Sequence, residues 1–171
     1  MEKVLITSGK YKGRRIATPG GATHPMGSRE KLALFNMVSV EGLSVLDAFA
    51  GSGALGIEAL SRGSSEVVLV EKNPNACKVI LENLESLGVE SGFKVIKSRV
   101  SRVNLPEFDV VLADPPYDNF DLTEVTALTK FVKDGGILVL SHPNEAPQLQ
   151  GFKLLKTHQY AAAHLSVYIK D

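Results

Sequence analysis

The sequence predicts an α/β fold in which helices cover both faces of a mostly parallel, Rossmann-like sheet. From Ser44 onward, apolar segments of strand length alternate with segments of helical periodicity. One of these strands runs directly into a glycine-rich turn and a helix. Three acidic residues, Asp47, Glu71 and Asp114, each stand at the carboxyl end of a different apolar strand. Since ligands of open parallel sheets bind beyond these ends, we expect the acids to share one rim.

Residues 1–27 are expected to form a small extension of the main domain, which would span 28–171. Segments 4–8 and 14–17 predict the two strands of a hairpin, with a turn at 10–13. Pro19 and the two glycines that follow it predict a bend. Ser28 is then expected to cap a helix that continues to about residue 40.

The main sheet is assigned from runs of apolar and β-branched residues. Its strands are predicted at 44–48, 66–71, 93–97, 108–113 and 136–141. Asn73 and Pro74 are typical of a helix cap and first turn, and Gly88 predicts the end of that helix. A further helix is predicted over 122–132. The last two segments, 153–158 and 164–170, have no helix between them and should pair antiparallel at one edge of a seven-stranded sheet.

Composition argues against several classes of protein. The chain has 171 residues, enough for one buried α/β core, and no apolar stretch of the roughly 18 residues that cross a membrane. Its first residues lack a secretory apolar segment, so we expect a cytoplasmic location. The single Cys77 is expected to be a small buried residue rather than a reactive thiol. The four histidines show no spacing typical of metal ligands, and we expect no metal.

Basic residues are concentrated at one end of the chain, although its net charge is zero. Residues 1–31 contain seven Lys or Arg and two Glu, so this segment carries +5 and the remainder −5. Within it, Lys10-Tyr11-Lys12-Gly13-Arg14-Arg15 combines cations with an aromatic ring, which suits contact with nucleic-acid phosphates and bases. A solvated hairpin arm without a ligand is the alternative.

The motif Asp114-Pro115-Pro116-Tyr117, after the apolar run 110–113, is the most informative one. An amino group on a nucleobase is a poor nucleophile because its lone pair is delocalised into the ring. A site that alkylates it must therefore accept hydrogen bonds from its protons. The carboxylate and a proline carbonyl are such acceptors, the prolines fix the turn, and the tyrosine offers a face for stacking. The motif predicts methyl transfer to an exocyclic amine, and a strand-ending turn without chemistry is the alternative.

The glycine-rich segment Gly51-Ser52-Gly53-Ala54-Leu55-Gly56 predicts a nucleotide-type cofactor loop, because glycines allow close approach of the backbone. Glu71 is placed to accept hydrogen bonds from two ribose hydroxyls. The same glycines, with an acid about 20 residues later, also fit an NAD-binding fingerprint, so a dinucleotide enzyme is an alternative. Asp47 favours a cofactor that carries an ammonium group, such as S-adenosylmethionine, because its carboxylate would repel a pyrophosphate.

With these motifs, the chain resembles the S-adenosylmethionine-dependent methyltransferases, and most closely the bacterial 16S ribosomal RNA guanine-N2 methyltransferase family. The resemblance spans roughly residues 9–170. It rests on five segments, namely 9–14, Arg29 with Leu34-Phe35-Asn36, 46–56, 58–63 and 114–117. Two departures stand out. His24 replaces the arginine of a frequent Thr-Arg-Pro-Thr segment, and Ser98 lies where many relatives place an aspartate near the adenine.

The resemblance implies a seven-stranded sheet with an antiparallel last strand, and a guanine of ribosomal RNA or of a partly assembled small subunit as the target. The implied catalytic residues are Asp114, Pro115, Pro116 and Tyr117. The implied cofactor-binding residues are Asp47, Phe49, Gly51, Ser52, Gly53, Glu71, Lys72 and Ser98. The implied RNA-binding residues are Lys10, Lys12, Arg14, Arg15, His24 and Arg29. An adenine-N6 or DNA amino-methyltransferase, and a non-catalytic RNA-binding relative, are the alternatives.

Overall fold

The computed structural model describes residues 2–21, 25–160 and 163–171. The strands are β1 (Lys3–Leu5), β2 (Arg15–Ala17), β3 (Ser44–Asp47), β4 (Glu66–Glu71), β5 (Phe93–Lys97), β6 (Phe108–Ala113), β7 (Val132–His142), β8 (Phe152–Tyr160) and β9 (Ala163–Lys170). The α-helices are α1 (Ser28–Met37), α2 (Ala54–Ser61), α3 (Pro74–Ser86) and α4 (Leu122–Ala127), and 3₁₀ turns lie at Val100–Arg102 and Thr129–Phe131.

Seven strands form one sheet in the order β5-β4-β3-β6-β7-β9-β8, and β1 and β2 form a separate hairpin. The pairs from β5 to β7 are parallel, whereas β9 runs antiparallel to both β7 and β8. This confirms the expected α/β fold with an antiparallel last strand. The strand order reverses at β3. In open parallel sheets, ligands commonly bind beyond the carboxyl ends of the strands at such a point.

Two apolar layers enclose the sheet, because successive side chains of a strand point to opposite faces. The first layer packs against α1, α2, α3 and the hairpin, and the second packs against α4. The side chain of Asn73 caps α3 by accepting hydrogen bonds from two backbone N–H groups, as predicted, and Pro74 occupies the first turn. Cys77 is buried, as expected. Within the described residues, no helix combines the length and apolar character needed to cross a membrane.

Several local predictions were wrong. The helix predicted over 122–132 stops at Ala127, and Val132 instead begins β7, where it is buried and pairs with Phe108 of β6. Between them, residues 129–131 form a 3₁₀ turn that leads into this strand. Gly27 rather than Ser28 is the N-cap of α1, because its carbonyl accepts the hydrogen bond from the Lys31 N–H at 3.0 Å.

The hairpin strands are also shorter than predicted, because the chain turns away to contact α2. The Thr7 N–H donates to the Glu58 carboxylate at 3.1 Å, and Lys31 of α1 forms an ion pair with the same carboxylate at 3.0 Å. Lys31 and Glu58 are both fully buried. Lys31 also donates to the carbonyl of Leu5 at 2.5 Å, and Arg62 donates to Glu58 at 3.1 Å. The hairpin, α1 and α2 are therefore joined by one buried polar network.

Candidate active site

Four neighbouring strands end in polar side chains that lie on the same face of the sheet. In spatial order these residues, called the rim row below, are Glu71 of β4, Asp47 of β3, Asp114 after β6 and Ser141 of β7. Each lies two positions after an apolar residue of the first core layer, namely Leu69, Val45, Leu112 and Val139. Since side chains alternate along a strand, all four members point toward that layer's side at the carboxyl edge.

The strand register brings the members of the rim row together. Asp47 pairs with Leu69 on one side and with Leu112 on the other, so Glu71 and Asp114 each extend two residues beyond it. Ala113 pairs with Leu140, which places Asp114 beside Ser141. The three acids predicted to share a rim therefore do so, around the end of the strand where the order reverses.

Asp47 lies deeper in the sheet than Glu71 and Asp114 and is only 1% exposed. Its Oδ2 accepts a hydrogen bond from the Gly56 N–H at 2.8 Å, whereas the buried Oδ1 has no partner among the described residues. Burial raises the pKa of Asp47 to about 7, against the hydrogen bond from Gly56, and the charges of Asp114 and Glu71 raise it further. A cationic group of a ligand would satisfy Oδ1 and offset this cost, so the residues fit a cofactor that carries an ammonium group.

The glycine-rich turn is held in place by Glu71. One oxygen of its carboxylate accepts the Gly51 N–H at 2.8 Å, and the other accepts the Asn73 N–H at 2.8 Å. Gly51 and Gly53 have φ of 55° and 82°, in the left-handed region that favours glycine. Each carboxylate oxygen has a further lone pair. Glu71 can therefore fix the turn and still accept hydrogen bonds from a ligand's hydroxyls.

The remaining predicted cofactor residues surround this turn. Ser52 is buried, and its carbonyl accepts a hydrogen bond from the Asn83 side chain at 3.1 Å. Phe49 packs against the second core layer, and Lys72 is exposed after β4. Ser98 follows β5, and its N–H donates to the Glu71 carbonyl at 3.1 Å. The structure thus gathers these residues at the carboxyl ends of β3, β4 and β5.

The Asp-Pro-Pro-Tyr motif follows β6, which flanks β3 on the side opposite β4, so Asp47 lies between Glu71 and the motif. Asp114 and Tyr117 are half-buried, and the Tyr117 hydroxyl hydrogen-bonds to Ser141 Oγ. Burial raises the pKa of Asp114 to about 6, against a hydrogen bond from Ser141. Burial also raises the pKa of Tyr117, with smaller contributions from the charges of Asp114 and Glu30.

Sequence reasoning missed two polar residues of this region, Ser141 and Asn83. Ser141 ends the apolar run 137–140 of β7 just as Asp114 follows that of β6, so the rule applied to the acids would have found it. Asn83 bonds both the N–H and the carbonyl of Ala17, at 2.8 and 2.9 Å, in addition to Ser52. It lies in the apolar stripe of α3, and the sequence contains no signal for this long-range pairing.

The predicted RNA-binding residues fall into two groups. Lys10, Lys12, Arg14 and Arg15 are exposed on the hairpin, whose turn is fixed to the last residue of α2 because the Lys10 N–H donates to the Ser61 carbonyl at 2.8 Å. Since α2 has eight residues and begins at the glycine-rich turn, its far end lies roughly 12 Å away. Arg29 is exposed in the first turn of α1. His24 lies outside the described residues.

The chain has relatives across nearly its whole length. The family model described as conserved hypothetical protein 95 matches residues 4–169. Ribosomal RNA small subunit methyltransferase D of Haemophilus influenzae is 35% identical over 131 residues, covering 71% of this chain and 67% of that protein. The protein of the same name from Escherichia coli K12 is 31% identical, covering 80% and 70%. The solved structure of yhhF from Escherichia coli matches with a TM-score of 0.89 over 99% of both chains, at 24% identity.

Proposed function

Because the chain belongs to the family described as conserved hypothetical protein 95 and is similar to proteins named ribosomal RNA small subunit methyltransferase D, we propose that it is a methyltransferase that uses S-adenosylmethionine. The substrate we propose is small-subunit ribosomal RNA, following the relatives named ribosomal RNA small subunit methyltransferase D. The acceptor we propose is the exocyclic N2 amine of a guanine. The observation that carries the proposal is the rim row, in which a buried carboxylate oxygen without a partner among the described residues lies at the same edge of the sheet as the Asp-Pro-Pro-Tyr motif.

The cofactor side of the crevice comprises Asp47, Glu71 and the glycine-rich turn. Asp47 Oδ1 would accept a hydrogen bond from the ammonium of the amino-acid part, and Glu71 would accept bonds from the ribose hydroxyls. When bound, S-adenosylmethionine supplies an activated methyl group on a sulfonium. The neutral thioether that remains needs no acid from the protein. The residues present therefore have to bind and orient, which can itself contribute several kcal/mol to the rate.

The acceptor side comprises Asp114, the Pro115 carbonyl and the ring of Tyr117. With a pKa of about 6, Asp114 is mostly ionised at neutral pH and can accept a hydrogen bond from one amine proton. The Pro115 carbonyl would accept the other, which directs the nitrogen lone pair at the methyl group. Tyr117 would stack on the base. The proton released after transfer passes to Asp114 or to water.

The base must leave its stack to enter this crevice, and this costs least in a loop or bulge of the RNA. Arg29, exposed in the first turn of α1, would contact RNA close to the target nucleotide. The cations of the hairpin lie at the far end of α2 and would bind phosphates further along the strand. Together they would give the protein an RNA footprint that extends from the crevice along α2.

Nucleoside analysis of labelled RNA tests this proposal. Purified protein and methyl-labelled S-adenosylmethionine are incubated with small ribosomal particles, with protein-free 16S transcript, and with DNA of the same sequence. We expect the label in N2-methylguanosine from one of the RNA substrates. Label in N6-methyladenosine or in DNA would establish one of the alternatives instead. No transfer to any of them, with RNA binding retained, would indicate a non-catalytic relative.

The matched variants Asp114→Asn and Asp118→Asn show whether the motif does the chemistry. Both change a carboxylate to an amide, but Asp118 is exposed just outside the motif. The amide of the Asp114 variant keeps an acceptor oxygen but loses the charge that strengthens the hydrogen bond to the amine, so we expect kcat/KM to fall by roughly 10- to 100-fold. Its affinity for S-adenosylmethionine, measured by calorimetry, should remain close to that of the wild type. Full activity in Asp114→Asn would show that the charge of Asp114 has no part in the mechanism.

A further inference from the structure

Ser141 is the one member of the rim row to which the proposed function assigns no role. Resting on that function, we propose that Ser141 is a positioning residue that joins Asp114 and Tyr117 into a single acceptor unit. Ser141 itself would touch neither the base nor the cofactor. Its hydroxyl would set the direction of the hydrogen bonds on which the orientation of the target amine depends.

The placement of Ser141 follows from the sheet. It ends the apolar run of β7, next to Asp114 by register and on the same face. The residue is 1% exposed, so solvent cannot satisfy its hydroxyl. The Tyr117 hydroxyl is its hydrogen-bonding partner, and a hydrogen bond from Ser141 opposes the rise that burial causes in the pKa of Asp114.

The chemistry of the three groups fixes the direction of these bonds. An ionised carboxylate can only accept, whereas a serine hydroxyl has one proton to donate and lone pairs to accept. When Asp114 is ionised, Ser141 therefore donates to it and must accept from the Tyr117 hydroxyl. The ring of Tyr117 is then held at one angle for stacking. A protonated Asp114 can itself donate, so Ser141 no longer has to donate to it, and the directions of the two hydrogen bonds are no longer fixed. The acceptor unit is therefore complete only when Asp114 is charged.

Ser141→Ala tests this unit, with Ser91→Ala as the matched change at an exposed serine. Loss of a hydrogen bond to a charged group predicts a decrease in kcat/KM of roughly 10- to 100-fold. The acid limb of the pH profile should move to higher pH, because the hydrogen bond from Ser141 lowers the pKa of Asp114. Affinity for S-adenosylmethionine should not change, since Asp47 and Glu71 are untouched. Ser91→Ala should match the wild type throughout.

Two further variants separate positioning from a general loss of packing. Ser141→Thr keeps the hydroxyl and should restore the position of the acid limb. Tyr117→Phe keeps the stacking ring and removes only the hydroxyl, so it should add little to Ser141→Ala in the double variant. Effects that add in full would mean that the two hydroxyls act independently and would overturn the proposed unit.

A measurement without turnover completes the test. Proteins labelled with ¹³C at the aspartate carboxyl are titrated by NMR, and Asp114→Asn identifies the Asp114 signal. In Ser141→Ala that signal should titrate at higher pH than in the wild type. An unchanged titration and an unchanged acid limb in a folded variant would overturn the role of Ser141. A wild-type protein that transfers no methyl group would overturn the proposed function instead, whatever the titration shows.

Discussion

Replacing Asp47 with asparagine should stabilise the ligand-free protein at alkaline pH and abolish tight cofactor binding. Asp47 is buried, one of its oxygens has no partner among the described residues, and its pKa is raised from 3.8 to about 7, mainly by burial. Because the folded-state pKa is the higher one, its proton contributes stability below about pH 4. That contribution is lost as the pH rises to 7.

The size of this effect follows from the two pKa values. Each unit of separation corresponds to about 1.4 kcal/mol, so a rise from 3.8 to about 7 gives at most about 4 kcal/mol. An asparagine side chain at this position has nearly the same shape as protonated Asp47 but never ionises. The two proteins should therefore be equally stable near pH 4, and the variant should be the more stable one at pH 8 by up to this amount.

Urea unfolding followed by circular dichroism at pH 4.5, 6 and 8 measures the difference. Asp118→Asn makes the same change at an exposed position and should leave stability within about 0.5 kcal/mol at each pH. Calorimetry with S-adenosylmethionine should show that Asp47→Asn alone loses affinity, because a neutral amide does not pair with an ammonium. A stability difference that fails to grow between pH 4.5 and 8 would refute the reasoning on Asp47.

Three further changes probe other parts of the molecule. Neutralising Lys12, Arg14 and Arg15 together should weaken RNA binding and reduce its salt dependence. The slope of log K against log salt concentration should fall by about 0.7 for each phosphate that is no longer neutralised. An unchanged slope in a filter-binding titration would exclude the hairpin from RNA binding. Gly56→Ala would place a Cβ 2.6 Å from Leu69 Cδ2 and 3.1 Å from Asp47 Oδ2, next to the glycine-rich turn. This change should lower the free energy of unfolding by about 1–3 kcal/mol, measured by thermal melting, and lower the affinity for S-adenosylmethionine, measured by calorimetry. A variant with unchanged stability and affinity would contradict the prediction. Lys31→Met removes one partner of a buried ion pair, so urea unfolding should show a decrease in stability of about 3 kcal/mol. A decrease below about 1 kcal/mol would mean that Thr7 and Arg62 stabilise the buried Glu58 carboxylate without Lys31.

The sequence was sufficient for three of the parallel strands and for the acidic rim. Strands 66–71, 93–97 and 108–113 match the structure to the residue, because short runs of apolar and β-branched residues are a local signal. The positions of Asp47, Glu71 and Asp114 follow from strand ends in a parallel sheet, a rule that requires no knowledge of contacts. All three could be assigned to one rim from the sequence, because parallel strands all have their carboxyl ends at the same edge of the sheet.

Contacts distant along the chain could not be predicted in this way. Lys31 contributes to the basic charge counted for residues 1–31, yet it is fully buried against Glu58 of α2. Although burial opposes its charge, hydrogen bonds from Thr7 and the charge of Lys31 hold the pKa of Glu58 below its ordinary value. Nothing in the local sequence distinguishes this lysine from its exposed neighbours. Charge counts therefore overstate the surface available to RNA.

The buried network around Glu58 also limits how freely this architecture can exchange its parts. A graft of the hairpin onto a different catalytic domain would transfer the Thr7 N–H without the carboxylate that accepts it. The recipient would need an acid at the place of Glu58 and a lysine at the place of Lys31 for the hairpin to dock. Recombination within this fold should thus preserve the three residues as a set, and chimeras that separate them should be recovered mainly as insoluble protein.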